Sequence, residues 1–411
     1  MRIALLSYRS KPHCGGQGVY VRHLSAGLAA LGHDVEVFSG QPYPELDEGV
    51  RLTKVPSLDL YGEPDPFRTP RLREYRDWID VVEVALMWTA AFGEPLTFSL
   101  RAKRVLRGRR NDFDVVHDNQ CLGYGLLSIK RQGFPLVATI HHPITRDRAL
   151  AVKAARGLKK ISAWRWHSFL AMQGRVARRI PSLLTVSKSS EDDIREAFHV
   201  KPGVLATIPL GVNVDLFAPS GRRVPGEIVC VASADAPLKG VSYLLEAVAK
   251  VSAERDIHLT LVSKLDPEGP SAKLIDDLSI ADRVSVVSGI DDTELAGLLS
   301  RAEVACVPSL YEGFSLPAVE AMSCGTPLIA SRAGAIPEVV GDDESAAILV
   351  EPRDSEALAQ ALLRLLDDPG LATRLGAGGR ARAQARYSWA AVAQATVDRY
   401  QAAIDAAAEG R

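Results

Sequence analysis

Short, unbroken apolar runs alternate along this chain with segments whose apolar residues recur every three or four positions. In the first half the runs fall at 2–7, 34–39, 114–117, 135–140 and 183–187. Runs this short and this uniform predict strands buried on both faces of a parallel sheet. Between the first two, Val21, Leu24, Leu28 and Leu31 keep helical spacing, and Gly32 stops the pattern. Strand, helix and strand at this separation predict a right-handed crossover. The pattern breaks into loop at 56–70, and 71–109 then reads as helical with an interruption near Gly93-Glu94-Pro95.

The second half repeats the alternation. Apolar runs at 227–232, 258–263, 284–287, 304–307, 327–330 and 347–350 are separated by helical patterns at 240–253, 270–279, 292–301, 317–323 and 355–367. The Pro, Gly and Arg residues of 218–226 fit neither pattern and predict a hinge. The fold class expected is α/β, with two doubly wound Rossmann-like domains facing each other across a cleft. The first spans 1–217 and the second 227–388, and the Ala-rich segment 389–411 forms a last helix. Ligands of such sheets lie beyond the C-terminal strand ends.

Composition narrows the function classes. A length of 411 residues exceeds one ordinary domain. A net charge of −1 gives no electrostatic case for nucleic acid. The five cysteines form no C-x-x-C pair and are odd in number, so neither a zinc site nor a disulfide framework is expected. A cytoplasmic setting is the simple expectation. The run beginning at Met1 is too short for a signal peptide, and no stretch is long and apolar enough to span a membrane.

Candidate chemistry concentrates after the 304–307 run. Glu312 and Glu320 bracket Gly313, Phe314, Ser315, Leu316 and Pro317. Pro317 suits the first turn of a helix, and Gly325 suits its stop. Unpaired N–H groups at a helix start attract anions, and ionised carboxylates accept hydrogen bonds from sugar hydroxyls. One carboxylate at each end of such a cradle suits a nucleotide-sugar. Two further strand ends carry polar groups: His117, Asp118 and Asn119 in one, His141 and His142 in the other. A glycine loop containing Gly15 and Gly16 follows the first strand, but it lacks both the dinucleotide fingerprint and a Walker lysine. Lys239 follows the first strand of the second half, where a cation can neutralise a leaving diphosphate.

The two glutamates eight residues apart, with Gly-Phe between them, resemble the signature of the family 4 retaining glycosyltransferases of the GT-B fold. The resemblance implies transfer of a hexose from a nucleoside diphosphate sugar to an acceptor hydroxyl, with retention and without a bound metal. It implies no cofactor beyond the donor co-substrate. Glu312 would orient the sugar, Glu320 would hold the ribose, and His141 would position the transferred sugar, with Lys239 on the diphosphate. Gly15, Gly16, Lys264 and residues 313–316 complete the expected donor site. His117, Asp118, Asn119 and His142 are candidates for the acceptor. The last helix is expected to cross back to the first domain. The family usually places an arginine five residues before the lysine. Ala234 stands there in this chain, and Lys264 is the candidate substitute.

The basic and aromatic stretch 156–167 reads as a domain helix with its Trp residues packed inside. The competing reading is a helix on an anionic membrane surface serving a lipid-linked acceptor, against a small-molecule acceptor otherwise. Two rival functions keep the same fold: a nucleotide-sugar-binding regulator without turnover, and a nucleotide-sugar epimerase. The epimerase would need an acid–base pair at the sugar ring, for which no residues stand out. The sequence names neither base, sugar nor acceptor.

Overall fold

A computed structural model describes residues 1–10, 16–62, 65–141 and 143–409. The chain divides into two compact units, one of 1–208 with 392–411 and one of 209–391. The first unit holds a seven-stranded sheet: β1 (Arg2–Ser7), β2 (Asp34–Ser39), β3 (Arg51–Lys54), β4 (Val115–Asn119), β5 (Leu136–Thr139), β6 (Ser182–Thr185) and β7 (Leu205–Thr207). Its order is β3-β2-β1-β4-β5-β6-β7, and every pairing is parallel. The second unit holds six: β8 (Val224–Val231), β9 (His258–Val262), β10 (Val284–Val287), β11 (Ala302–Val307), β12 (Leu328–Ser331) and β13 (Ile348–Val350). Their order is β10-β9-β8-β11-β12-β13, again all parallel.

Both sheets are doubly wound. The strand order reverses between β1 and β4 in one and between β8 and β11 in the other. Crossovers leave such a point in opposite directions, which opens a crevice at the C-terminal strand ends. The central strands are buried along nearly their whole length. Helices cover them on the faces, with Leu126, Ile129 and Val176 in one core and Leu244, Val248 and Leu362 in the other.

Several expectations change. The division falls after Ile208, and the expected hinge at 218–226 lies inside the second unit, where Val224 opens β8. Arg223 ties this segment down, its guanidinium donating to the carbonyls of Ala302 at 2.7 Å and Gly325 at 2.5 Å. β3 and β7 were not anticipated. The region read as helical from 71 to 109 resolves into a short 3-10 turn, Leu72–Glu74, and two helices, Trp78–Trp88 and Glu94–Val105. The basic and aromatic stretch is helical at Leu158–Trp166, but only one of its Trp residues packs as expected. Trp166 joins Phe92 and Tyr61, with ring centroids at 5.2 and 5.6 Å, whereas Trp164 is 60% exposed.

The final helix, Trp389–Glu409, groups with the first unit from Val392 onward. Tyr400 is fully buried there, and its hydroxyl lies 2.6 Å from His117 Nδ1 on β4. No helix among the described residues is long and apolar enough to cross a membrane.

Candidate functional site

In the second unit, the loops leaving β8 and β11 are fastened together at the reversal point. The β8 loop ends in a 3-10 turn, Pro237–Lys239, and Gly240 follows with φ +64°. A Cβ on Gly240 would lie 2.0 Å from the Pro308 carbonyl oxygen, so only glycine permits this approach. The Leu310 N–H then donates to the Leu238 carbonyl at 2.8 Å. This zipper carries Lys239 to Glu312: Lys239 Nζ donates to Glu312 Oε1 at 2.8 Å, and the Ser309 hydroxyl donates to the same oxygen at 2.7 Å.

The backbone of Glu312 is fixed from the other side. Its carbonyl accepts from the Ala335 N–H at 2.9 Å. Gly334 has φ +54°, and a Cβ there would meet the Glu312 carbonyl oxygen at 2.3 Å. A carboxylate and an ammonium are thus held on rigid supports at the C-terminal ends of adjacent strands. Such a pair can accept from hydroxyls and donate to phosphate oxygens.

The segment after Glu312 leads into the helix Leu316–Ser323, with Pro317 in its first turn. Ser315 precedes that helix at φ +138°, a conformation rarely taken by a residue with a side chain. Its hydroxyl is buried without a partner. Backbone strain of this kind costs about 1–3 kcal/mol and persists only where surrounding structure enforces it. Phe314 points inward, its ring edge-on to Tyr387 at 5.8 Å. Its side chain is therefore a packing anchor for the loop, and only its backbone remains available to a ligand. Gly313 and Leu316 are partly exposed.

Glu320, largely buried, lies one turn into the helix. Burial pushes its carboxyl up to about 7, and Asp292 adds to the shift. Lys264 stands exposed just after β9. Ala234 is buried, its N–H donating to the Ser263 hydroxyl at 2.9 Å and its carbonyl accepting from the Ser271 hydroxyl at 2.9 Å.

In the first unit, the ends of β4 and β5 meet beside β1. His141 Nε2 lies 2.8 Å from Asn119 Oδ1, and the His141 N–H donates to Gln120 Oε1 at 2.8 Å. The His141 ring stands edge-on to Tyr20, with centroids 4.7 Å apart. Asn119 is fully buried and its Nδ2 has no partner, which leaves a donor at the strand ends. This contact joins two residues that the sequence placed in separate candidate groups.

His117 and Asp118 precede Asn119 on β4. Both are fully buried. His117 bonds through Nδ1 to Tyr400 and through Nε2 to the Thr139 hydroxyl at 2.7 Å, and burial holds its pKa down to about 3. It is a neutral strut between β4, β5 and the last helix. Asp118 accepts from the Leu122 N–H at 2.9 Å, and burial raises its carboxyl to about 7. It shapes the turn after β4. Gly16 begins the helix Gly16–Ala30, while Gly15 and His142 lie outside the described residues. Among the described residues, no group of three or more His, Cys, Asp or Glu is placed to hold a metal ion.

Sequence reasoning missed Ser309, whose role depends on where a loop places its hydroxyl, and Gly334, remote in sequence from the residue it admits.

Comparison with known proteins gives a consistent picture. Residues 14–216 match the model of glycosyltransferase family 4, and residues 225–368 match that of glycosyl transferases group 1. The chain is 64% identical to the MMP α-(1→4)-mannosyltransferase of Mycolicibacterium hassiacum, over 98% of each chain. It is 31% identical to a glycogen synthase of Mycobacterium tuberculosis, over 98% of this chain and 95% of that one. Among solved structures it is similar to sucrose-phosphate synthase from Thermosynechococcus elongatus, with a TM-score of 0.71 and 25% identity, over 99% of this chain and 100% of the other. HepE of Anabaena, in complex with UDP, shares the fold with a TM-score of 0.69 at 16% identity, over 98% and 100% of the two chains.

Proposed function

The chain belongs to the family 4 glycosyltransferases, and on that footing we propose that it transfers mannose from a nucleoside diphosphate mannose to the 4-hydroxyl of an acceptor sugar. The observation that carries this reading is 64% identity, over nearly the whole length, to an enzyme named as an α-(1→4)-mannosyltransferase. The Lys239–Glu312 pair at the reversal point of the second sheet supplies the matching chemistry.

In the proposed reaction the bond between the anomeric carbon and the diphosphate oxygen breaks, and the electron pair leaves with the diphosphate. Lys239 stabilises that growing charge. Glu312 accepts from hydroxyls of the sugar and fixes its orientation. Glu320 accepts from the ribose hydroxyls, and His141 positions the transferred sugar. The acceptor oxygen bonds to the anomeric carbon, and its proton passes to the departing phosphate oxygen. An α-linked donor then yields an α-linked product, which is retention. The reaction as proposed needs no metal.

The test offers the purified protein the mannose diphosphates of guanosine, uridine and adenosine with an α-mannoside acceptor, in the presence of a chelator. Proton NMR of the product reads linkage and anomer. An α-(1→4) product formed with chelator present supports the proposal. A β product would overturn retention, loss of turnover with chelator would overturn metal independence, and transfer from the corresponding glucose diphosphates but from none of the mannose donors would overturn the sugar.

A further inference from the structure

Away from His141, the first unit carries a cleft of about 480 Å³ that the reaction does not use. It opens where β2 and β3 end, and it is lined by Gln41, Ser57, Asp59, Asp65, Arg68 and Arg76 among others. A volume of this size is in the range of small-molecule sites.

The wall of the cleft is built. Gln41 Oε1 accepts from the Ser57 N–H at 2.8 Å, and the Ser57 hydroxyl accepts from the Asp59 N–H at 3.1 Å. Arg68 donates to the Leu58 carbonyl at 2.9 Å and pairs with Glu74 at 2.8 Å, while Arg76 pairs with Asp80 at 3.1 Å. Both guanidinium groups therefore have carboxylate partners. Asp59 Oδ1, by contrast, is buried with no partner. A buried carboxylate oxygen without a donor is costly, and a ligand hydroxyl would relieve that cost.

Two residues of this loop hold left-handed backbones, Asp59 at φ +49° and Phe67 at φ +68°. For a bulky residue such as Phe this is an outlier, found where surrounding structure enforces it. The Phe67 N–H donates to the Leu60 carbonyl at 2.7 Å, and its ring leans on Tyr61 at 5.6 Å and Trp166 at 6.0 Å. The ring is nevertheless 57% exposed. The strained loop is thus held by an aromatic anchor on Tyr61 and Trp166, between Asp65 and Arg68, which line the cleft.

The chemistry selects the occupant. Carboxylates disfavour an anion, and the arginines disfavour a free cation. Mixed acceptors and donors suit a neutral polyhydroxyl ligand, whose hydroxyls both donate and accept. We propose that this cleft is a second carbohydrate subsite, which holds a hexose of an oligosaccharide acceptor other than the one being glycosylated. The inference rests on the mannosyltransferase reading, since only an acceptor of several sugars has a residue to place there.

The test compares the full chain with Asp59→Asn and Asp65→Asn, two carboxylates of the cleft lining. Asn keeps the shape of Asp59 and tolerates its left-handed backbone, and thermal unfolding checks that each variant is folded. kcat/KM is measured with methyl α-mannoside and with an α-(1→4)-linked mannotetraose. The variants are expected to lose about tenfold on the tetrasaccharide, the scale of one charge-assisted hydrogen bond, with the monosaccharide and the donor KM unchanged. Equal losses on both acceptors, or none on the tetrasaccharide, would overturn the subsite. Titration calorimetry of the tetrasaccharide without donor separates this from failure of the functional reading. If the native chain transfers no mannose, that reading falls. Binding weakened by the substitutions would then still support the cleft, and unaltered or undetectable binding would overturn it.

Discussion

Lys239 and Glu312 lie 73 positions apart, yet their charged groups meet at 2.8 Å. Neither could be so placed by its own loop alone. Gly240 lets one loop touch the other, and Gly334 lets the chain pass beneath Glu312. The pair is partly open to solvent, so its worth for stability is small, about 1 kcal/mol or less. Glu312→Gln should therefore leave the thermal midpoint within a few degrees of the native chain while cutting kcat by roughly 10²–10³-fold. Steady-state kinetics at saturating donor would check this, and native turnover would remove Glu312 from its role.

The ribose contact proposed for Glu320 would link nucleotide binding to pH. The Glu320 carboxyl is raised from 4.5 to about 7, chiefly by burial. The folded chain thus holds this proton more tightly than the unfolded chain. Its stabilising contribution is complete below about 4.5 and declines as the pH rises through about 7. Ribose hydroxyls donate best to the ionised form. Nucleoside diphosphate affinity should then rise with pH through this window and level off above it. Calorimetric titrations at several pH values should show that slope in the native chain and a flat profile in Glu320→Gln. A flat native profile would rule out the ribose contact.

Lys264 is proposed as the replacement for the arginine that Ala234 displaces. Ala234 is buried beneath hydrogen bonds to Ser263 and Ser271, so position 234 presents no charge, and an exposed cation follows β9. Lys264→Ala should raise the dissociation constant for the nucleoside diphosphate by about fivefold, the worth of one exposed ionic contact. An unchanged constant would leave Lys264 as a solvated surface residue.

Tyr400→Phe should weaken the first unit without touching the chemistry. It removes the hydroxyl from His117 Nδ1 and leaves a buried ring nitrogen unsatisfied. That loss is about 1–3 kcal/mol, readable as a lower denaturant midpoint. The neutral state of His117 adds a pH signature of its own. Its pKa falls from 6.5 unfolded to about 3 folded, so its contribution is full above 6.5 and is lost as the pH drops towards 3.

The parallel cores were legible because strands buried on both faces have little freedom of composition. β1 holds the apolar run 3–6 and β11 the run 304–307. The unanticipated strands lie at the first sheet's two edges. β3 is Arg-Leu-Thr-Lys, whose charged ends disguise a strand, and β7 has only three residues. The candidate site was legible where chemistry and local backbone coincide, as at Glu312 and Pro317. It was not legible where burial decides. His117 and His141 each end a run of the same character, and only the packing of Tyr400 makes one a strut. The 41–76 cleft was hidden for a related reason, since its lining comes from a strand end, a strained loop and a helix start.

The tie between Tyr400 and His117 also sets an order of events during synthesis. Tyr400 leaves the ribosome 283 residues after its partner. At about 5–20 residues per second this is a delay of roughly a quarter of a minute to a minute. Throughout it the first unit lacks its last helix, and His117 Nδ1 lacks the hydroxyl it will meet. The second unit emerges entirely within that interval and can close its own sheet first. The domain begun earliest is thus the one completed last, and the nascent chain is most exposed to aggregation and proteolysis on the face that the final helix will cover.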